Sequence, residues 1–250
     1  MDCLGMAAPI VTQALILAGG RGTRLGSITD ACPKPILPVA GRPFLSYLIS
    51  RLARLGVTDV ILSTGYHAGL VRETLPEGER DGVRIRHCVE AEPAGTGGAV
   101  KLAASLLAER FLVLNGDTLF DVDVQALGRL LHHHAQAEAA VALREVDDAA
   151  RYGRVSIEQN RITAFAEKSG EGRGLINGGV YCLQRRSLTR LPGGTSSLER
   201  DFFPLLAAEG GLYGQIFAGY FIDIGLPETL VRAQTELPAW ERSSLSPPAS

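Results

Sequence analysis

A short apolar run that ends in glycines is the feature that most constrains how this chain folds. Residues 14–18 form a run of the length of one strand, and a glycine-rich segment, residues 19–26, follows it directly. Such a run, bounded by turn residues, is typical of a strand buried on both faces of a parallel sheet. Parallel strands need crossover connections, usually helices, so this run predicts an α/β fold.

The same alternation of apolar runs and amphipathic stretches continues through residue 143. Strands are predicted at 14–18, 59–63, 83–89, 111–114 and 139–143, and helices at 43–55, 68–75, 99–107 and 124–134. This order is typical of a doubly wound, mostly parallel mixed sheet with helices on both faces. Pro33, Pro35 and Pro38 predict an extended segment before the first of these helices.

Beyond residue 143 the pattern changes to shorter strands. Residues 153–158 and 161–166 flank Gln159-Asn160, which predicts a hairpin. Further strands are predicted at 176–183, 213–217 and 220–224, and helices at 198–208 and 227–235. We expect a short leader at 1–12, a single domain at 13–237, and a disordered tail at 238–250, which is rich in serine and proline.

The composition argues against several classes of function. The formal net charge is −2 and no basic stripe is present, so we expect no nucleic-acid partner. The chain has no apolar run long enough to span a bilayer and no signal-peptide pattern, so we expect no membrane contact and a cytoplasmic location. The four cysteines are widely scattered, which gives neither a zinc motif nor a disulfide framework.

The segment Leu17-Ala18-Gly19-Gly20-Arg21-Gly22-Thr23-Arg24-Leu25 is the strongest candidate for a ligand site. It follows the first predicted strand at its carboxyl end, where α/β sheets bind ligands. Glycines let backbone N–H groups approach phosphate closely, and an arginine can bind phosphate through two parallel hydrogen bonds. The segment lacks the lysine of a P-loop, and its spacing fails the dinucleotide fingerprint at Leu25, which argues against an oxidoreductase.

Together with Pro33-Lys34-Pro35-Ile36-Leu37-Pro38-Val39, this segment resembles the signature of the sugar-1-phosphate nucleotidyltransferases. The resemblance covers residues 13–237 and implies a Rossmann-like nucleotidyltransferase fold. It implies that Arg24 binds the departing pyrophosphate and that Lys34 neutralises phosphate charge. The residues implied to bind the nucleoside triphosphate are Leu17, Ala18, Gly19, Gly20, Gly22 and Thr23.

Two aspartates follow or interrupt apolar strands. Asp117 ends Asn115-Gly116-Asp117 after the predicted strand 111–114, and Asp223 lies within an otherwise apolar strand. A carboxylate at a strand end suits a hard cation, and one in an apolar strand is costly unless paired or metal-bound. The resemblance puts the metal-binding aspartates of the family at these two positions. It therefore implies Mg²⁺ as the cofactor and Arg24, Lys34, Asp117 and Asp223 as the catalytic set.

The loop from Glu90 to Ala99 contains Glu92-Pro93-Ala94-Gly95-Thr96-Gly97-Gly98. In the family this loop helps to bind the nucleobase, so the implied binding residues here are Glu92, Gly95, Thr96 and Gly97. Its form is more similar to guanylyltransferases than to thymidylyltransferases. A carboxylate such as Glu92 can accept from the N1–H and N2–H₂ groups of guanine. The residues alone leave open which of the two glutamates faces solvent.

The sugar phosphate is assigned mainly by the resemblance. The residues implied to bind it are Gly153, Glu167, Lys168, Asn177 and Gly178. Without the resemblance, Glu167 and Lys168 would be interpreted as an ordinary solvated ion pair.

The implied reaction joins a nucleoside triphosphate to a sugar 1-phosphate by in-line transfer and releases pyrophosphate. Two stretches, residues 115–123 and 219–228, are most similar to D-glycero-D-manno-heptose 1-phosphate guanylyltransferases of bacterial surface-polysaccharide pathways. A mannose 1-phosphate guanylyltransferase and an amino-sugar 1-phosphate uridylyltransferase are the alternatives. A non-catalytic regulatory subunit of the same fold is the alternative from another class, and a homo-oligomer is left open.

Overall fold

A ten-stranded mixed sheet forms the centre of the computed structural model, which describes residues 8–149, 154–166 and 172–245. The strands are β1 (Gln13–Leu17), β2 (Pro38–Val39), β3 (Arg42–Pro43), β4 (Asp59–Thr64), β5 (Gly78–Arg80), β6 (Val83–Val89), β7 (Arg110–Asn115), β8 (Thr118–Phe120), β9 (Ala139–Val146), β10 (Arg154–Glu158), β11 (Arg161–Ala166), β12 (Gly174–Gln184), β13 (Leu212–Ile216) and β14 (Phe221–Asp223). The helices are α1 (Ile28–Ala31), α2 (Phe44–Arg54), α3 (Ala68–Thr74), α4 (Gly95–Leu102), α5 (Val124–His133), α6 (Phe203–Ala208) and α7 (Pro227–Leu245).

Parallel pairing is concentrated in the half of the sheet that the first part of the chain builds. The strand order is β10-β11-β13-β9-β12-β7-β1-β4-β6-β5. Strands β7, β1, β4 and β6 run parallel, whereas β12 is antiparallel to both of its neighbours, β7 and β9. Two short ribbons, β2–β3 and β8–β14, stand apart from the large sheet. The predicted α/β class with a mixed sheet is confirmed.

Both faces of the sheet are covered, as the continuous apolar strands predict. Along β1, Ala14 and Ile16 belong to one buried cluster with Leu48 of α2. Leu15, which points to the opposite face, belongs to a second cluster with Val100 of α4. Because successive side chains of a strand point to opposite faces, a strand buried on both faces shows no polar alternation.

Helix α2 and the β10–β11 hairpin form where the local sequence predicts them. Pro43 precedes the helix with the extended backbone that its ring favours, and Gly56 follows it with a φ of +85°. At the hairpin, Gln159 and Asn160 have φ values of 48° and 67°. Two consecutive left-handed residues are characteristic of a type I′ turn, which explains the asparagine there.

The two ends of the predicted domain are more ordered than the sequence indicates. Helix α7 continues to Leu245, so residues 238–245 are helical and the predicted disordered tail is wrong there. Leu237 is fully buried, and the Trp240 ring stacks on Tyr220 while its Nε1 donates to Asp121 Oδ2 at 3.0 Å. In the predicted leader, Val11 is also fully buried. Residues 246–250 and 1–7 lie outside the described part of the chain.

Two other local predictions also differ from the structure. Residues 34–36 form a 3₁₀ turn and not an extended segment. Pro35 is tolerated there because it lies in the first turn, where its missing N–H group is not needed, and Pro33 before the turn stays extended. Helix α4 begins at Gly95, four residues before the predicted start. Its glycines pack closely on a neighbouring loop: a Cβ on Gly98 would lie 2.9 Å from the carbonyl oxygen of Gly194. This contact depends on distant residues, so composition does not predict it.

Among the residues that the structure describes, no helix combines the length and the apolar character needed to cross a membrane.

Candidate active site

A cavity of about 350 Å³ lies where β1 and β7 end, between the glycine-rich segment and the start of α4. It is the place at which a doubly wound sheet binds ligands. The cavity is lined by Leu17, Gly19, Gly20, Gly22, Lys34, Pro35, Glu90, Pro93, Gly95, Thr96, Ala99, Asn115, Gly116, Asp117 and Glu199.

The glycine-rich segment forms one wall and is tied to the strands on both sides. Ala18 N donates to Ser63 O at 2.7 Å, and Gly116 N donates to Leu17 O at 2.9 Å. Ala18 is buried behind the wall and does not line the cavity, and the side chain of Thr23 lies outside the described set. A Cβ on Gly19 would lie 2.6 Å from Glu90 Oε1, so no side chain fits there without displacing that carboxylate.

Lys34 is held inside the protein and forms an ion pair with Asp117. Its side chain is 8% exposed, and its Nζ donates to Asp117 Oδ2 at 2.8 Å. The 3₁₀ turn places Lys34 beneath the glycine-rich segment, where a Cβ on Gly22 would lie 3.1 Å from Lys34 Cε. The turn thus brings the cation to the wall predicted to bind phosphates.

The ribbon of β8 and β14 brings the two predicted metal ligands together across 106 residues of sequence. Its register pairs Thr118 with Asp223, and Ile224 N donates to the carbonyl oxygen of Asp117 at 2.9 Å. Burial, and then the neighbouring charge of Asp117, raise the pKa of Asp223. Two carboxylates therefore share a partly desolvated site, which favours a nearby cation.

The conformation at Gly225 shows how closely the four predicted catalytic residues converge. Gly225 N donates to Asp223 Oδ1 at 2.6 Å. A Cβ on Gly225 would lie 2.7 Å from that oxygen and 3.4 Å from both Arg24 Nη2 and Lys34 Nζ. Because Asp117 pairs with Lys34, all four side chains meet at this point.

The donor set of this cluster fits a hard divalent cation. Asp117 and Asp223 offer carboxylate oxygens, the ligand type that Mg²⁺ prefers. Within the described ranges no group of three or more His, Cys, Asp or Glu side chains is arranged to hold a metal. A cation at the aspartate pair would therefore complete its coordination with water and substrate phosphate, which is the usual mode of Mg²⁺.

Glu90, and not the predicted Glu92, lines the cavity, next to Gly19 of the glycine-rich segment. Glu90 Oε1 accepts from Ser63 Oγ at 3.1 Å, and its Oε2 accepts from Ala94 N at 3.2 Å. Glu92 is exposed and is absent from the lining. The two glutamates differ because Glu90 N donates to Thr64 O, which extends β6 by one residue along β4, whereas Glu92 lies in the loop after β6.

The first turn of α4 forms the adjoining wall. Gly95 and Thr96 line the cavity, as the sequence predicts for base contacts. Gly97 is buried on the other side of the turn, where its N donates to Ser196 O at 2.8 Å. A Cβ on Gly95 would lie only 2.4 Å from the same oxygen, so these glycines let α4 pack against residue 196.

Of the residues predicted to bind the sugar phosphate, Gly153, Glu167 and Lys168 lie outside the described residues. Asn177 Nδ2 donates to Tyr181 Oη at 2.8 Å, and its Oδ1 accepts from Gly179 N at 2.9 Å. Gly178 is buried against Phe120, whose ring a Cβ would meet at 2.4 Å. It therefore has a packing role in this structure, while Asn177 belongs to a polar network.

Glu199 is a lining residue that the sequence did not suggest. Its carboxylate accepts from Thr96 Oγ1 at 2.8 Å, Ser197 Oγ at 2.8 Å and Tyr181 Oη at 3.2 Å. Burial raises the pKa of Tyr181 well above its usual value, so this hydroxyl stays protonated and remains a donor. Glu199 follows Leu198 on a short π-helical turn, and no local motif marks it as a cavity residue.

Two known proteins are similar to this chain over most of its length. The mannose-1-phosphate guanylyltransferase of Mycobacterium tuberculosis is 39% identical over 90% of this chain, which spans 64% of that protein. The D-glycero-alpha-D-manno-heptose 1-phosphate guanylyltransferase of Aneurinibacillus thermoaerophilus is 38% identical, over 90% of this chain and 98% of that protein.

Two solved structures have the same fold. HddC from Yersinia pseudotuberculosis, complexed with GMP-PN, is similar with a TM-score of 0.78 at 34% identity, over 90% of this chain and 99% of that one. A putative glucose-1-phosphate thymidylyltransferase from Bacillus anthracis has a TM-score of 0.80 at 26% identity, over 90% of this chain and 94% of that one. The family model described as nucleotidyl transferase matches residues 13–239. The chain therefore belongs to the nucleotidyl transferase family.

Proposed function

We propose that this chain transfers GMP from GTP to a sugar 1-phosphate, with D-glycero-D-manno-heptose 1-phosphate as the first candidate sugar. The observation that carries the proposal is one cavity in which a glycine-rich wall, the Lys34–Asp117 pair and the Glu90 carboxylate face the same space. Support for the guanylyl group comes from the relatives named as guanylyltransferases, at 38% and 39% identity. Mannose 1-phosphate is the second candidate, because the chain is almost equally identical to the relative named for mannose 1-phosphate and to the one named for the heptose.

The reaction joins two anions, so the main task of the site is to align them and reduce their repulsion. An oxygen of the sugar phosphate attacks the α-phosphorus of GTP. The new P–O bond forms as the bond to the bridging oxygen breaks, and pyrophosphate leaves with the electron pair. No covalent intermediate with the protein is required.

Arg24 and Lys34 are proposed to bind phosphate oxygens during this transfer. Lys34 is buried and fixed by Asp117, so its charge needs little reorganisation when phosphate arrives. Arg24 is exposed at the edge of the cluster, and its planar guanidinium suits two parallel bonds to the departing pyrophosphate.

Asp117 and Asp223 are proposed to hold Mg²⁺. The bound ion would supply positive charge to the phosphate oxygens on which negative charge develops. The chain itself contributes the two carboxylates, and the Gly225 N–H donor orients that of Asp223.

Glu90 is proposed to select guanine. Its carboxylate lines the cavity and already accepts from Ser63 and Ala94, which fixes its orientation. Guanine offers two adjacent donors, N1–H and N2–H₂, to such an acceptor. Adenine has an acceptor at N1 and no amino group at C2, so it would offer no donor to the half-buried carboxylate at these two positions. Since GTP is a cytoplasmic substrate, we infer that the enzyme acts in the cytoplasm.

Pyrophosphate release with Mg²⁺ tests the proposal directly. GTP, UTP, CTP, ATP and dTTP are each paired with heptose 1-phosphate, mannose 1-phosphate and N-acetylated amino-sugar 1-phosphates. We expect turnover confined to GTP and fastest with heptose 1-phosphate. Turnover with UTP and an amino-sugar 1-phosphate would retain the reaction type and overturn the substrates. Binding of a nucleotide sugar with no turnover in any pair would favour a non-catalytic subunit.

A further inference from the structure

We propose that the carboxylate of Glu199 accepts a hydrogen bond from a ring hydroxyl of the sugar 1-phosphate and so helps to select the sugar. This inference rests on the proposed function and deepens it. Glu199 is half-buried, lines the cavity, and lies 82 residues after Asp117 in the sequence.

The hydrogen bonds of Glu199 leave one oxygen with spare capacity. Its Oε2 accepts from two hydroxyls, those of Thr96 and Ser197, each at 2.8 Å. Among the residues that the structure describes, its Oε1 accepts only from Tyr181 Oη, at 3.2 Å. A carboxylate oxygen can accept about two hydrogen bonds, so Oε1 has room for a further donor on the cavity side.

Charge determines what kind of group that donor belongs to. Both proposed substrates carry several negative charges on their phosphates, and the cations that suit them, Lys34 and Arg24, lie around Gly225. A carboxylate close to phosphate would repel it, so Glu199 must face an uncharged part of a substrate. Hydroxyl groups are the uncharged donors that a sugar phosphate offers.

The surroundings of Oε1 favour the sugar over the ribose of the nucleotide. Oε2, the oxygen directed toward α4, already accepts a hydrogen bond from Thr96 Oγ1. The less occupied Oε1 faces Tyr181, whose hydroxyl accepts from Asn177. The family resemblance implies that Asn177 binds the sugar phosphate. A pyranose hydroxyl at Oε1 would therefore join the Tyr181–Asn177 network.

The proposal is tested by binding, with Glu199→Gln as the main variant. Glutamine keeps the size of the side chain and one oxygen but replaces the charged acceptor. Asp201→Asn is the matched control, because Asp201 lies on the same π-helical turn, accepts from Ser197 N and is not part of the cavity lining. GDP-mannose and GDP are titrated calorimetrically into each protein with Mg²⁺. Mannose has the same ring hydroxyls as D-glycero-D-manno-heptose.

We expect E199Q to weaken the binding of GDP-mannose about tenfold and that of GDP by less than about twofold, since a charge-assisted hydrogen bond to the sugar is lost. D201N should change neither value. Glu199→Asp keeps the charged acceptor and should recover part of the lost affinity; it also replaces E199Q if that variant does not fold.

Three results would overturn the inference. Equal weakening of GDP-mannose and GDP would mean that Glu199 acts on the nucleotide, and unchanged affinity for both would remove it from substrate binding. A loss in D201N equal to that in E199Q would assign the effect to the fold of the turn. If the wild-type protein binds neither ligand, the proposed function itself fails, which is distinguishable from the first two results.

Discussion

The two ends of the cavity differ in net charge, because one end combines cations with carboxylates and the other has carboxylates alone, and they are built in different ways. At one end, Lys34 and Arg24 surround the pair of Asp117 and Asp223. At the other end, two carboxylates, Glu90 and Glu199, face the cavity with hydroxyl and backbone donors bound to them. The first end suits phosphates and a cation, and the second suits uncharged N–H and O–H donors. From this charge distribution we infer how the substrates are oriented: their phosphates lie at the first end, and their uncharged donor groups lie at the second.

The sequence specifies the two ends unequally. Arg24 and Lys34 come from two neighbouring segments of one signature, and the aspartates lie after or within strands that can be located by their apolar runs. Glu90 and Glu199 come from separate regions, and only tertiary packing turns them toward the same space. If the two ends also differ in function, substitutions at the first end should lower the rate and substitutions at the second should change selectivity.

Asp117→Asn should have the largest effect, because it removes a proposed metal ligand and the ion pair with Lys34. We expect kcat to fall about 1,000-fold, in the range found when a charge-stabilising group is removed from an active site. Asp123→Asn is the matched control, since asparagine also caps a helix well and Asp123 serves as the N-cap of α5. Steady-state pyrophosphate release measures both, with thermal unfolding to confirm that D117N is folded. A rate within tenfold of wild type would remove Asp117 from the catalytic set.

Gly225→Ala should have the next largest effect, at the cluster of Lys34, Arg24 and the two aspartates. The added Cβ would meet Asp223 Oδ1 at 2.7 Å and would displace the cluster that contains Arg24 and Lys34. We expect kcat to fall about thirtyfold, since small displacements of positioning groups are costly. In Gly69→Ala, the control, no atom lies within 4 Å of the new Cβ, and the gain in helix propensity should stabilise the protein by about 0.5–1 kcal/mol. Equal kinetics in both variants would show that the cluster tolerates the shift.

Glu90→Gln should change selectivity more than rate. Removing the charged acceptor should lower the preference for GTP over ATP, expressed as a ratio of kcat/KM, by about tenfold. Glu92→Gln is the control: this exposed glutamate carries the sequence-based prediction but does not line the cavity. A loss of selectivity in E92Q and not in E90Q would restore the original prediction and contradict the assignment of the acidic end to the base.

Trp240→Ala should affect stability and leave the chemistry almost unchanged. The ring is 7% exposed, stacks on Tyr220 and donates to Asp121, all outside the cavity lining. We expect the free energy of unfolding to fall by about 3 kcal/mol, as for other buried tryptophans. Urea denaturation measures this change, and kcat/KM of the folded enzyme should stay within about twofold. A large loss of kcat/KM would show that α7 contributes to the site.

How far the sequence predicts this molecule depends on whether a feature is local. The limits of α2 follow from Pro43 and Gly56, and the hairpin from Gln159-Asn160, because backbone preferences of those residues determine them. The sequence does not predict the early start of α4, because glycines usually disfavour a helix. These glycines are needed there for close contact with residues 194 and 196, which lie about a hundred positions away in the sequence. The sequence does not predict the helix over residues 238–245, because serine and proline are frequent there and nothing in the pattern shows that Trp240 is buried.

The site shows the same limit. The approach of Asp117 to Asp223 was predicted from the resemblance, and the β8–β14 ribbon gives its physical basis. The sequence alone does not show which of Glu90 and Glu92 lines the cavity. The hydrogen bond from Glu90 N to Thr64 O, which forms only in the folded chain, fixes the position of Glu90. No sequence motif marks Glu199, because its position in the cavity depends on contacts with Thr96 and Tyr181, which are distant in the sequence.

A crystal structure of the complex with GDP-mannose and Mg²⁺ tests the division of the cavity most directly. We predict the diphosphate within hydrogen-bond distance of Lys34 and Arg24, the metal between Asp117 and Asp223, and guanine against Glu90. A reversed ligand, with its phosphates beside Glu90 or Glu199, or a ligand bound outside this cavity, would contradict the account.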